Sequence, residues 1–131
     1  WELRRALADA RRVLKPNGRL VIHTAPNVWY DRCAYPFVRL ARLLMGQRKQ
    51  YPKDPRAIIP ANLEVHVNEQ SALSLWWVLK QMGFRAHVWL DTPPQNREEG
   101  RILKAMRYIF FNWPPFSWFF EREVFAVAKP V

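Results

Sequence analysis

The chain has 131 residues, a net charge of +10, and a half-apolar composition with 24% charged residues. That length suits one domain, and the balance excludes an intrinsically disordered chain. A single cysteine, Cys33, excludes an internal disulfide and fits a reducing compartment.

Residues 2 to 14 read as an amphipathic helix, with Leu3, Leu7, Ala10 and Leu14 at helical spacing among Arg4, Arg5, Asp9, Arg11 and Arg12. Lys15-Pro16-Asn17-Gly18 stops it, because Pro16 cannot continue the hydrogen-bond ladder and Asn17-Gly18 tolerate positive φ. Arg19 to Ala25 reads as a strand. Its unbroken Leu20-Val21-Ile22 run predicts burial on both faces. Pro26-Asn27 ends it. A second helix is expected over Pro36 to Met45, with Phe37, Leu40, Ala41 and Leu44 in one stripe and Gly46 at its end. Gln47 to Val67 has no clear period and holds three prolines, so a long loop is expected there.

Asn68 is a candidate N-cap, with Glu69 in the first turn of a helix carrying Ala72, Leu75, Trp76, Leu79 and Met82. Gly83 suits the position just past that helix. In Phe84 to Leu90, Ala86, Val88 and Leu90 alternate with Arg85, His87 and Trp89, which is a strand pattern. Arg97 to Asn112 reads as a helix broken by Pro114-Pro115. Glu121 to Ala128 reads as a last strand, with Val124, Ala126 and Ala128 on one face and Phe125 and Val127 on the other. The pattern is α/β, with no internal repeat. The chain opens inside a helical pattern, so it is expected to start within a longer protein. No cationic stretch followed by an apolar one opens it, so a leader is not expected among these residues. No uncharged run is long enough to span a bilayer.

The stretch Leu7 to Asn27, "LADARRVLKPNGRLVIHTAPN", resembles the helix–turn–strand region of class I S-adenosylmethionine-dependent methyltransferases, with Asn17 replacing the first of two usual glycines. His66 to Phe84 resembles a later helix of that family, and Glu123 to Pro130 its last strand. The resemblance implies a partial Rossmann-like sheet of three strands, the last antiparallel and central, within a mixed sheet flanked by helices. It implies that residues 1–131 are the C-terminal, substrate-side part of one methyltransferase domain whose N-terminal cofactor-binding half is absent. The activity implied is transfer of a methyl group from S-adenosylmethionine to a small or lipid-like acceptor. The four glycines are isolated, so the chain has no Gly-rich phosphate-binding loop. Weak cofactor binding and no activity are therefore expected of these residues alone.

Candidate site residues follow. Thr24, Ala25, Pro26 and Asn27 sit at the carboxyl end of the first strand, where open α/β sheets bind ligands. Asn27 offers an amide to a substrate, or Pro26-Asn27 is only a turn. His66 is a candidate general base or substrate orienter, against a surface or capping role. His23 and His87 read as structural, and no zinc spacing is present. Cys33 lacks a flanking charge pattern for a nucleophile and reads as buried or incidental.

Tyr108 to Phe120 packs eight of the nineteen aromatic residues into an uncharged run, preceded by Arg97, Arg101, Lys104 and Arg107. Residues 97–120 thus read as an aromatic and basic insertion. Within it Tyr108, Phe111, Trp113, Phe116 and Trp118 are candidates for a membrane-dipping element or a substrate lid, against a packing role on the sheet. The implied setting is cytoplasmic, with peripheral membrane contact. Two other classes remain open: a noncatalytic peripheral membrane module, and an RNA-binding domain using the positive charge. A lack of basic–aromatic interleaving on one strand pair argues against the latter.

Overall fold

The structure is a computed structural model, and it describes residues 2–47, 49, 51–55, 69–91 and 101–131. Helix α1 covers Glu2–Val13, and strand β1 covers Leu20–Thr24. A helix then opens at residues 28–29, passes through one π-helical turn at Tyr30–Ala34 and continues as α2, Tyr35–Leu44. Helix α3 covers Ala72–Gln81, β2 Phe84–Asp91, α4 Arg101–Asn112, α5 Phe116–Phe120 and β3 Glu123–Pro130.

The three strands form one sheet in the order β1-β3-β2. Both ladders are antiparallel: Leu20 faces Ala128 on one side of β3, and Ala86 faces the same residue on the other. The last strand is central, as expected. The sheet is antiparallel throughout the described residues instead of mixed, because β3 separates the two strands that run in the same direction.

Helices α1 and α3 cover one face of this sheet. Leu7, Leu75, Leu79, Phe84, Val124, Ala126 and Ala128 form its buried core. Ile22, Ala86, Val88 and Leu90 pack around them. The alternation seen in β2 and β3 sets this face directly. Full burial of a Leu or Val side chain is worth roughly 1.5–3 kcal/mol, so these few residues carry much of the fold.

The expected burial of β1 on both faces is not found. Val21 is 69% exposed, because it points to the face that α1 and α3 leave uncovered. An apolar run in an edge strand with one helical layer behind it buries only alternate residues.

The ends of α3 also differ from expectation. Ser71 is the N-cap: its hydroxyl accepts from the Ser74 amide, and the Ser74 hydroxyl accepts from the Ser71 amide in return. Asn68 lies outside the described residues. At the other end Gly83 adopts φ 75, as its placement past the helix predicts. The break at Pro114-Pro115 is followed by α5, a short helix that periodicity did not reveal.

Candidate functional site

The segment after β1 is built around Asn27, which is completely buried. Its side-chain nitrogen donates to the carbonyl oxygens of Trp118 and Glu121, each at 3.0 Å. Its side-chain oxygen accepts from the Trp29 amide at 3.1 Å, and its own amide donates to the Arg122 carbonyl. Its carbonyl accepts from Tyr30 and Asp31. Asn27 thus caps the helix that opens at residue 28 and ties it to the chain entering β3. Both side-chain amide protons are bonded inside the protein, to the Trp118 and Glu121 carbonyls, so Asn27 sets the position of the loop. Thr24, Ala25 and Pro26 precede it, half-buried, with Thr24 opposite Val124.

Aromatic packing reinforces the junction. Trp29 stacks on Phe119, with ring centres 5.5 Å apart. The Arg122 guanidinium lies over the Tyr30 ring at 5.3 Å. Burial pushes the Tyr30 hydroxyl above its ordinary pKa, with Arg122 opposing the shift. Burial also raises the pKa of Tyr35, whose hydroxyl donates to the Pro52 carbonyl at 2.7 Å. Asn27, Tyr30, Tyr35, Trp118 and Arg122 therefore form one connected unit beside the carboxyl end of β1. His66 lies outside the described residues.

The uncovered face of the sheet carries a second arrangement. His23, Phe125 and Trp89 share one cross-strand row. The His23 and Phe125 rings stack at 4.6 Å, and Trp89 stacks on the other side of Phe125 at 5.7 Å. His87 stacks on Trp89 in turn. The His23 Nε2 meets a Glu123 carboxylate oxygen at 2.9 Å. The sequence left His23 as structural. The signal that finds this row is cross-strand register, which appears only once β3 is placed between the other two strands.

The interleaving of basic and aromatic residues that the sequence lacks locally is present on that face. Arg85, His87 and Trp89 of β2 share it with Phe125 and Lys129 of β3, so basic and aromatic residues do interleave on one strand pair. Phe125 is stacked between His23 and Trp89, whereas His23 and His87, at the ends of the row, are exposed. Single-stranded nucleic acid binds by stacking its bases on open ring faces.

The aromatic run divides between the interior and the surface. Phe110 stacks on Phe120 at 4.7 Å, and Phe111 meets the same ring edge-on. Phe111 is half-buried, whereas Tyr108, Trp113, Phe116 and Trp118 are exposed. Among the described residues no group of three or more His, Cys, Asp or Glu could hold a metal ion. Among them, too, no helix is long and apolar enough to cross a membrane. A surface depression of about 350 Å³ is lined by Ala8, Arg11, Arg12 and Met82, and shares no residue with the Asn27 unit. No family model matches the chain, and neither a curated protein nor a solved structure matches it.

Proposed function

We infer that the chain is the substrate-side portion of a class I S-adenosylmethionine-dependent methyltransferase acting on a small or lipid-like acceptor. The observation that carries this reading is the insertion of β3 antiparallel between β1 and β2. The motif resemblance implies that same order for the last three strands of the family's sheet. A second feature supports it: the segment 24–27, at the carboxyl end of β1, is held in one position by a fully bonded asparagine.

Methyl transfer from a sulfonium is an in-line displacement, and the cofactor brings the reactive centre. The protein then has to supply alignment and a dry setting. A buried, hydrogen-bonded loop suits that task, and no acid–base pair is required for a carbon or nitrogen acceptor. In this reading Asn27 is a positioning residue, and Thr24, Ala25 and Pro26 border the acceptor. His66 remains the candidate base for an oxygen acceptor. The main cofactor contacts belong to a Gly-rich segment outside these 131 residues.

Two measurements test the reading. Calorimetry of the chain with S-adenosylmethionine is expected to show weak binding, because no Gly-rich loop is present. Transfer of radiolabelled methyl groups is then assayed on the coding sequence extended upstream, with lipid and small-molecule fractions as acceptors. Methyl transfer by the extended protein to one of these fractions supports the assignment. An upstream sequence with no Gly-rich strand–loop–helix, or tight cofactor binding by residues 1–131 alone, overturns it.

A further inference from the structure

Helix α2 has two apolar faces. Tyr35 and the preceding Ala34 are buried, yet Phe37, Leu40 and Leu44 stand in the solvent at 71%, 57% and 83% exposure. Their spacing of three and four residues puts them in one stripe. That stripe carries the helical periodicity which, read from sequence, suggests a core-facing surface. Helix α4 repeats the arrangement. Phe110 and Phe111 pack on α5, while Ile102, Met106, Ile109 and Trp113 form an exposed stripe of spacing four, three and four. Isolated exposed apolar residues are ordinary, but two ordered stripes of this size are not.

The two helices are joined by packing. Helix α5 rests on α4 through Phe110 and Phe120, and reaches the segment leading into α2 through Phe119 on Trp29. Exposed Phe116 and Trp118 lie on that connecting helix. Charge supplies the second argument. Residues 30–44 and 101–120 contain Arg32, Arg39, Arg42, Arg101, Lys104 and Arg107 against one acid, Asp31. Arg32, Arg101 and Lys104 are exposed. An apolar stripe beside unbalanced cations, with Trp and Tyr at its margin, is the chemistry of a helix lying in the headgroup region of an anionic bilayer. A lone interfacial helix anchors weakly, and two paired ones bind together with far greater persistence.

We propose that α2 and α4 form one composite surface that seats the protein on an anionic lipid bilayer, with α5 as the brace between them. The surface extends beyond the aromatic run to Phe37, Leu40 and Leu44, more than sixty positions earlier in the chain. Vesicle binding requires neither cofactor nor turnover, so this proposal stands or falls separately from the methyl-transfer reading.

The test is co-sedimentation of the full chain, fused to a soluble carrier, with vesicles of phosphatidylcholine alone or with one-third phosphatidylglycerol; the carrier alone is the control. Binding is expected on the anionic vesicles, weakening as salt rises. Leu40→Asp with Leu44→Asp, and separately Ile102→Asp with Ile109→Asp, are each expected to weaken it about tenfold or more. Arg101→Glu with Lys104→Glu is expected to bring it close to the level on neutral vesicles. All six positions are exposed, and circular dichroism checks that the variants keep their helices. Three outcomes overturn the proposal: equal binding to both vesicle types, wild-type binding by the α2 pair, or a lipid-free dimer that these same substitutions dissolve.

Discussion

The side-chain nitrogen of Asn27 lies 3.0 Å from the carbonyl oxygen of Trp118, a bond that closes 91 positions of chain. It links the first turn of the helix after β1 to α5, and the neighbouring bond to Glu121 carries the link toward β3. This single side chain joins the segment bearing the candidate acceptor site to the segment bearing the exposed aromatics.

Replacing Asn27 should therefore cost more than its size suggests. Asn27→Ala leaves the part-buried carbonyls of Trp118 and Glu121 without their donor, an expected loss of about 1–3 kcal/mol. Asn27→Asp should cost more, because a buried carboxylate would face the same two carbonyl oxygens with no proton to offer. Urea unfolding of both variants against the wild type measures the order. Equal stability of all three would show that the bracket is dispensable.

Tyr35 predicts a pH effect of definite sign. Burial raises its pKa above the ordinary 10.0. The folded protein thus keeps the hydroxyl proton to a higher pH than the unfolded chain. Between the two values the unfolded chain binds fewer protons, so stability falls as pH rises. This contribution is intact below pH 10.0 and is lost as pH passes the folded-state value. Tyr35→Phe removes the bond to the Pro52 carbonyl and should cost about 0.5–1.5 kcal/mol at neutral pH. It should also lessen the alkaline decline. Thermal scans from neutral pH to beyond the tyrosine range compare the two proteins.

Much of the helix-covered face was legible in the sequence. Ala86, Val88 and Leu90 alternate with the exposed Arg85, His87 and Trp89, and in β3 Val124, Ala126 and Ala128 alternate with the half-buried Phe125 and Val127, so a period of two separates the two faces. The Leu20-Val21-Ile22 run misled because a run of apolar residues records hydrophobicity and not the number of covering layers. The same limit hid the exposure of Phe37, Leu40 and Leu44: periodicity marks a stripe without saying what faces it. Asn27 carried a readable signal, since asparagine favours N-caps and a helix follows it directly. Its bonds to Trp118 and Glu121 depend on long-range packing, which no local pattern encodes.

Gly83 provides a local test. Its φ of 75 lies in the left-handed region, and an added Cβ would stand 2.7 Å from the Arg11 guanidinium. Arg11 is long and exposed, so it can shift, but in doing so it would disturb its bond to the Val131 carbonyl. Gly83→Ala should lose about 1–2 kcal/mol, chiefly from the backbone conformation. Chemical denaturation of this variant beside Gly46→Ala, whose φ is 78 with open space around it, separates the backbone cost from the crowding.

Among the described residues, β1 is paired along one edge only. The other edge offers peptide N–H and C=O groups beside an exposed Val21. Such an edge accepts a strand from another molecule. The chain is expected to self-associate, and Val21→Lys should shift it toward monomer. Sedimentation velocity reads both states, and a monomeric wild type would remove the argument.

The placement of β3 sets an order on folding during synthesis. Leu20 and Ala86 both take Ala128 as their register partner. A nascent chain that has already emitted β1 and β2 holds two strands running the same way, with the ladder position between them vacant. Helices α1 and α3 can form locally in that interval, but the layer they cover has no middle. The sheet closes only when Glu123–Pro130 arrives and threads between its neighbours. Until then the apolar faces of both strands depend on whatever shields a growing polypeptide from its own kind.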